Sequence, residues 1–280
     1  MAYPAQTPSG LHARQAANGF SSAVIHSQCF PYELVSRIDG EHFWFRVRNE
    51  IILKAISQHL PDWKQSKFLE IGSGAATVLS FLDSFGMTSL EGCDLNPLAI
   101  SISRNRMPNV TFYECSYEDL VSLGCRNDAV GMFDFIEHLE NDHCALSAAF
   151  ELLKPGGRIF ITVPAHQSLY SSVDEMMGHY RRYSKESLTK AVLRAKFEIA
   201  RVAYIMPSMY PLVALKRRLV NTVIPQAETD RYHALVREVD KPMAAVNSVL
   251  ASWFRSEHQL LSGLDTPFGG SLLAVAVKPK

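Results

Sequence analysis

Residues Phe68 to Leu82 read FLEIGSGAATVLSFL, an apolar run, two glycines and a second apolar stretch. A short apolar run fits a buried strand, and apolar residues recurring at helical spacing fit the helix that follows. Glycines at such a strand-to-helix turn let a ligand approach the backbone. A dinucleotide fingerprint would need a third glycine where Thr77 stands, and a P-loop would need a lysine that is absent, so both phosphate-binding readings fail. Glu70, just before the glycines, would also be a poor neighbour for a pyrophosphate. Asp94 ends the next strand, one strand–helix–strand unit later, where a carboxylate accepts hydrogen bonds from ribose hydroxyls. An acid, two glycines and a second acid suit an adenosine whose other end is an amino acid.

Outward from this stretch, strands KFLEI, SLEGCD, VTFYE, DAVGMF and GRIFITV alternate with helices AATVLSFLDSF, PLAISISRNR and DHCALSAAFELL. That alternation predicts a mostly parallel sheet with helices on both faces. SKESLTKAVLRA follows as a helix capped by Ser184, then FEIARVAYI as a sixth strand and SLLAVAVK as the last. Between the last two, YPLVALKRRLV and HALVREVDKPMAAVNSVLASWF read as helices of a cap. Upstream, PYELVSRIDGEHFWFRVRNEIILKAISQHL reads as helical up to Pro61. The expected layout is a mobile tail over 1–20, a helical lid over 21–62, a core over 63–205, a helical cap insertion over 206–267 and a last strand within 268–280.

The chain has 280 residues, 47% hydrophobic and 20% charged, with 28 basic and 28 acidic side chains. This suits a globular protein, and the neutral balance gives no support to nucleic-acid binding. No run approaches the roughly 18 apolar residues of a membrane span. The N-terminus lacks the basic start and apolar core of a signal peptide, so a cytoplasmic protein is expected. The cysteines Cys29, Cys93, Cys115, Cys125 and Cys144 form no C-x-x-C pair and are read as free thiols; no metal site is expected.

LEIGSGAA and EGCDLNPLAI resemble the first two motifs of the class I S-adenosylmethionine-dependent methyltransferases. DAVGMFDFIEHLEND and LLKPGGRIFITVPA resemble the motifs of their fourth and fifth strands. EHFWFRVRNEII and DEMMGHYRRYSKESL are similar to a bacterial subgroup with a helical lid. The resemblance covers about Lys67 to Ile205 and resumes at the last strand. It implies a Rossmann-like fold with a seven-stranded, mostly parallel sheet, and S-adenosylmethionine as cofactor. It places Glu70, Gly72, Gly74, Asp94, Leu95, Phe133 and Asp134 in the cofactor site, with Arg48 from the N-terminal helix. Two positions depart from the family: Ala76 replaces the third glycine, and Ser116 stands where an Asp often contacts adenine. That contact is left among Ser116, Tyr117 and backbone.

His138, with an ordinary pKa near 6.5, is a candidate general base, with a helix cap as its competing role. Tyr170 and His179 are further candidates for proton transfer. Trp44, Phe45, Tyr180 and Arg182 are candidate acceptor contacts, an arginine being suited to clamp a carboxylate or phosphate. The arginines of LKRRLV read as a solvated face. The expected activity is methyl transfer to a small-molecule acceptor. Cyclisation or lysis of the cofactor with release of methylthioadenosine is a second reading, and cofactor binding without catalysis a third. The oligomeric state is left open, a homodimer included.

Overall fold

The computed structural model describes residues 30–219, 228–261 and 264–280. Cys29, the 1–20 tail and the start of the 21–62 segment lie outside the described residues. Seven strands form one sheet: β1 (Phe68–Ile71), β2 (Leu90–Asp94), β3 (Thr111–Glu114), β4 (Asn127–Phe133), β5 (Leu153–Pro164), β6 (Glu198–Ile205) and β7 (Ser271–Val277). Their order is β3-β2-β1-β4-β5-β7-β6, parallel except for β7, which runs antiparallel to both neighbours. The sheet is thus the seven-stranded, mostly parallel one expected.

The helices, in chain order, are α1 (Tyr32–Ile38), α2 (Phe43–His59), α3 (Thr77–Ser84), α4 (Pro97–Arg106), α5 (Tyr117–Ser122), α6 (Asp142–Leu152), α7 (Ser172–Met176), α8 (Lys185–Arg194), α9 (Met209–Leu219), α10 (Glu228–Val239) and α11 (Ala244–Leu261). One apolar cluster joins the sheet to α5, α6 and α8, and the other joins it to α2, α3, α4 and α11. The result is a three-layer α/β/α arrangement with helices on both faces. None of the helices among the described residues is long and apolar enough to cross a membrane.

Local chemistry explains the boundaries. Asn96 caps α4 by accepting from the N–H groups of Leu98 and Ala99, and Pro97 occupies the first helical position. Ser184 caps α8 as its sequence suggests. Two expected helices are interrupted. The N-terminal helix breaks at Asp39–His42, where Asp39 takes two hydrogen bonds from Arg106 (2.5 and 2.7 Å) and His42 caps α2 by accepting from the Trp44 N–H. The long cap helix breaks between Val239 and Ala244, around Pro242, which has no N–H for a helical bond.

The segment between β6 and β7 is anchored twice. Leu235 of α10 is buried against Val173 and Met176 of α7. On the other side, Phe254 of α11 stacks on Phe43 (5.7 Å between centroids), and Arg255 pairs with Glu50. Asn247 of α11 accepts from the Phe43 N–H at 2.9 Å and donates to the Glu41 carbonyl at 2.9 Å. A helix's first N–H groups have no partner within it, so the N-terminus of α2 is completed from far along the chain. Meanwhile the second half of α2 is core: Ile51, Ile52, Ala55 and Ile56 are buried.

Asn247→Ala leaves the Phe43 N–H without that acceptor and should lower stability by about 1–3 kcal/mol. Urea unfolding of both proteins measures it, and an unchanged midpoint would show that Asn247 is not an anchor.

Candidate functional site

The chain leaves β1 for α3 on one side and enters β4 on the other, so a crevice opens beyond the carboxyl ends of these strands. There a cavity of about 950 Å³ lies between the strand tips, the first half of α2, and the helices α7, α9 and α10.

At the β1 tip Glu70 is buried, and its Oε2 has no hydrogen-bond partner among the described residues. Burial raises its carboxyl to about 8, against the lowering effect of the Arg48 guanidinium and the Leu79 N–H. Gly72 takes φ +74°, and a Cβ there would lie 2.2 Å from the Phe135 ring, so no side chain fits. Gly74 takes φ +51° and Ala76 φ +57°, the latter a left-handed conformation that disfavours alanine by roughly 1–2 kcal/mol. Ala76 therefore holds this turn at the expense of strain.

Asp94, at the β2 tip, accepts from the Gly74 N–H through Oδ2 and from the Asn96 N–H through Oδ1, both at 2.8 Å. Each oxygen keeps a lone pair. Leu95 lines the cavity with 45% of its surface exposed. Ser116 and Tyr117 also line it, with Ser116 engaged in a capping box with Asp119. At the β4 tip Asp134 adopts φ +50° and binds Arg48 at 2.5 Å. Arg48 is 8% exposed and lies 4.8 Å from the Trp44 ring centroid, a cation–π contact. Phe133 faces the cavity while stacking on Phe68 in the core, and Phe45 is buried beside Trp44. This end of the cavity thus gathers three carboxylates, Glu70, Asp94 and Asp134, around one arginine.

The opposite end is basic. His138 and His179 meet edge to face, 4.7 Å between centroids. Asp174 of α7 accepts from Arg182 at 2.6 Å, approaches Nδ1 of His179 at 3.0 Å and pairs with Arg217 of α9 at 3.2 Å. Burial alone would raise the Asp174 carboxyl, but its bonds to His179 and Arg182 bring it down to about 2. Arg217 is not on a solvated face, as its sequence neighbourhood suggests: it points into the cavity, and its Nη1 is buried without a hydrogen-bond partner among the described residues. Lys216 and Arg237 line the same wall, as do Glu238, which pairs with Lys216 at 2.8 Å, and Asp240.

Tyr170 and Tyr180 are absent from the cavity wall, and the Tyr170 hydroxyl donates to the His179 carbonyl at 2.7 Å, so it supports the site from behind. Trp44, Phe45, His138, His179 and Arg182 do line the cavity. Sequence reasoning missed Tyr32, Glu137, Arg217 and Arg237 on the wall. Glu137 was legible as the neighbour of His138; Tyr32, Arg217 and Arg237 depend on how distant helices dock.

A raised carboxyl stabilises the fold while it is protonated. For Glu70 that contribution is complete below its ordinary 4.5 and is lost as pH rises through about 8. Glu70→Gln removes the titration. Melting curves of the ligand-free proteins between about pH 5 and pH 9 should fall more steeply for the wild type; parallel curves would refute the raised value.

A family model described as a methyltransferase domain matches residues 41–202, more than half of the chain. A protein of Mycolicibacterium smegmatis named as a probable S-adenosylmethionine-dependent methyltransferase is 24% identical over 161 residues. That match covers 57% of this chain and 61% of the relative, so the chain spans less than two thirds of the curated relative it matches. Among solved structures, phosphoethanolamine N-methyltransferase 2 of Haemonchus contortus, in complex with S-adenosyl-L-methionine, superposes with a TM-score of 0.52 at 21% identity, over 81% of this chain and 52% of that one. A SAM-dependent methyltransferase from Archaeoglobus fulgidus gives 0.51 at 16% identity, over 82% and 94%. These likenesses carry the fold, and the family model carries membership: the chain belongs to the methyltransferase-domain family, the S-adenosylmethionine-dependent group its motifs resemble.

Proposed function

We propose that this protein transfers a methyl group from S-adenosylmethionine to a small acceptor that carries an acidic group. The observation that carries the reading is the polarity of one cavity, acidic at the strand tips and basic beneath the cap. The acidic end fits the cofactor's chemistry. Asp94 offers two acceptor oxygens for ribose hydroxyls, and the unpartnered Oε2 of Glu70 provides an acceptor in a negative environment suited to a cationic amino acid.

When bound, S-adenosylmethionine supplies a methyl group already activated by its sulfonium. The chain's task is then alignment and exclusion of water, and proximity of this kind is worth up to roughly 7–11 kcal/mol. Arg48 locks Asp134 and closes over the acidic end with Trp44 and Phe45. Helices α9 and α10 act as a lid: they supply Leu212, Val213, Arg217 and Arg237 to the cavity wall. Asp174 is shared by Arg182 and Arg217, and Glu238 is taken up by Lys216, so the arginines outnumber their carboxylate partner, which suits an acceptor carboxylate or phosphate. The resemblance of the fold to a phosphoethanolamine methyltransferase is consistent with such an acceptor without selecting it.

Calorimetry with S-adenosylmethionine should give binding that Asp94→Ala weakens about ten- to hundredfold, equivalent to about 1.4–2.8 kcal/mol, and that Arg217→Met leaves within about threefold. With phosphorylated and carboxylated acceptors screened by mass spectrometry, S-adenosylhomocysteine should accumulate, and Arg217→Met should raise KM for the acceptor more than it lowers kcat. Methylthioadenosine appearing without acceptor would replace this reading with cofactor cyclisation or lysis. Cofactor binding that Asp94→Ala does not change would remove its basis.

A further inference from the structure

Three side chains converge between the two ends of the cavity. Glu137 follows β4 in a short 3-10 turn, His138 is its neighbour, and His179 reaches them from the loop after α7. Ligand atoms from all three lie within 4.8 Å of one another, and all three line the cavity. The Glu137 side chain is 0% exposed, yet neither of its carboxylate oxygens has a hydrogen-bond partner among the described residues. A buried polar group left unsatisfied calls for an explanation, an ion or a water being the usual ones. The two orphaned oxygens stand beside two imidazoles, a set that a cation can engage together.

The orientation of His179 is held for ligation. Its Nδ1 is 3.0 Å from Asp174, which Arg182 and Arg217 in turn hold, and its carbonyl receives the Tyr170 hydroxyl. A carboxylate on one ring nitrogen fixes the tautomer and leaves the lone pair on Nε2, the arrangement found behind metal-bound histidines. We infer that Glu137, His138 and His179 form a binding site for a divalent first-row transition ion, with Asp174 as the residue that positions His179. Two imidazoles and one carboxylate suit Zn2+, Fe2+, Mn2+ or Co2+ better than the all-oxygen preference of Ca2+. Bonds of about 2.1 Å to a tetrahedral ion place ligand atoms about 3.4 Å apart, so atoms now up to 4.8 Å apart close by roughly 1–1.5 Å to complete the set. The sequence offers no hint of the site, because His179 lies far along the chain from the Glu-His pair.

The ion would sit where an acceptor comes to meet the cofactor and would polarise an acceptor hydroxyl. The hydroxyl proton would leave to solvent, and an oxygen lone pair would form the bond to the methyl carbon. The electrons of the carbon–sulfur bond would return to sulfur as that bond breaks. This consequence rests on the methyl-transfer reading; metal binding does not.

The test uses the full chain, stripped with chelator, without cofactor or acceptor, so failure of methyl transfer leaves its result untouched. Titration with Zn2+ and with Co2+ is followed by calorimetry and by the visible absorption of bound Co2+. One ion per chain is expected, with affinity reduced at least about tenfold in Glu137→Gln, His138→Ala and His179→Ala. His233→Ala, on the exposed face of α10, should bind as the wild type does. Circular dichroism checks the fold of each variant; His138 is only half-buried, so its substitution keeps the test open should a buried one fail to fold. Absence of stoichiometric binding by the wild type overturns the site whatever the variants do. So does binding by folded His138→Ala at wild-type affinity.

Discussion

The reversal of strand order between β1 and β4 is the constraint from which the rest follows. Parallel strands with helical crossovers deliver their carboxyl ends to one edge, and the reversal parts the loops there. Glu70, Asp94 and Asp134 stand at three of those ends. Carboxylates removed from water need compensation, and the backbone supplies part of it through the N–H groups of Gly74 and Asn96. Arg48 adds an ion pair to Asp134 and only partly offsets the burial of Glu70, and to reach them α2 docks with its first half over the crevice and its second half in the core. That docking in turn uses Asn247, Phe254 and Arg255 from the segment between β6 and β7.

The basic end is organised by one carboxylate. Asp174 opens its loop into α7 through a capping box with Ser171 and then faces His179, Arg182 and Arg217. Arg217 belongs to the cap and Arg182 to the core, so Asp174 ties the two together across the cavity mouth. Its carboxyl stays ionised because the positive partners outweigh the effect of burial. A ligand spanning the cavity therefore meets opposite charge at its two ends, which favours an orientation as well as affinity.

Local patterns carried most of the fold. All seven strands were legible as short apolar runs, and α4 as the segment PLAISISRNR that begins at Pro97. Where reading failed, two local signals competed. The Asp39-Gly40 pair and Pro242 are breaker signals, yet apolar spacing continues on both sides of each and suggested unbroken helices. In the site, the strand-tip residues Glu70, Gly72, Gly74 and Asp94 were legible because one short segment holds each with its structural reason. Arg217 was not, since the face a surface helix presents is decided by what it packs against. Tyr170 looked catalytic by composition, but its hydroxyl is directed to a backbone carbonyl, which only a fold can reveal.

The measurement that tests the account most directly is a crystal structure of the protein soaked with S-adenosylhomocysteine. The ribose hydroxyls should lie on Asp94 and the amino-acid end beside Glu70, with the sulfur facing the open basic half of the cavity toward Arg217. A ligand seated elsewhere, or one whose amino-acid end lies on Arg182 and Arg217, would contradict the division of this cavity into a cofactor end and an acceptor end.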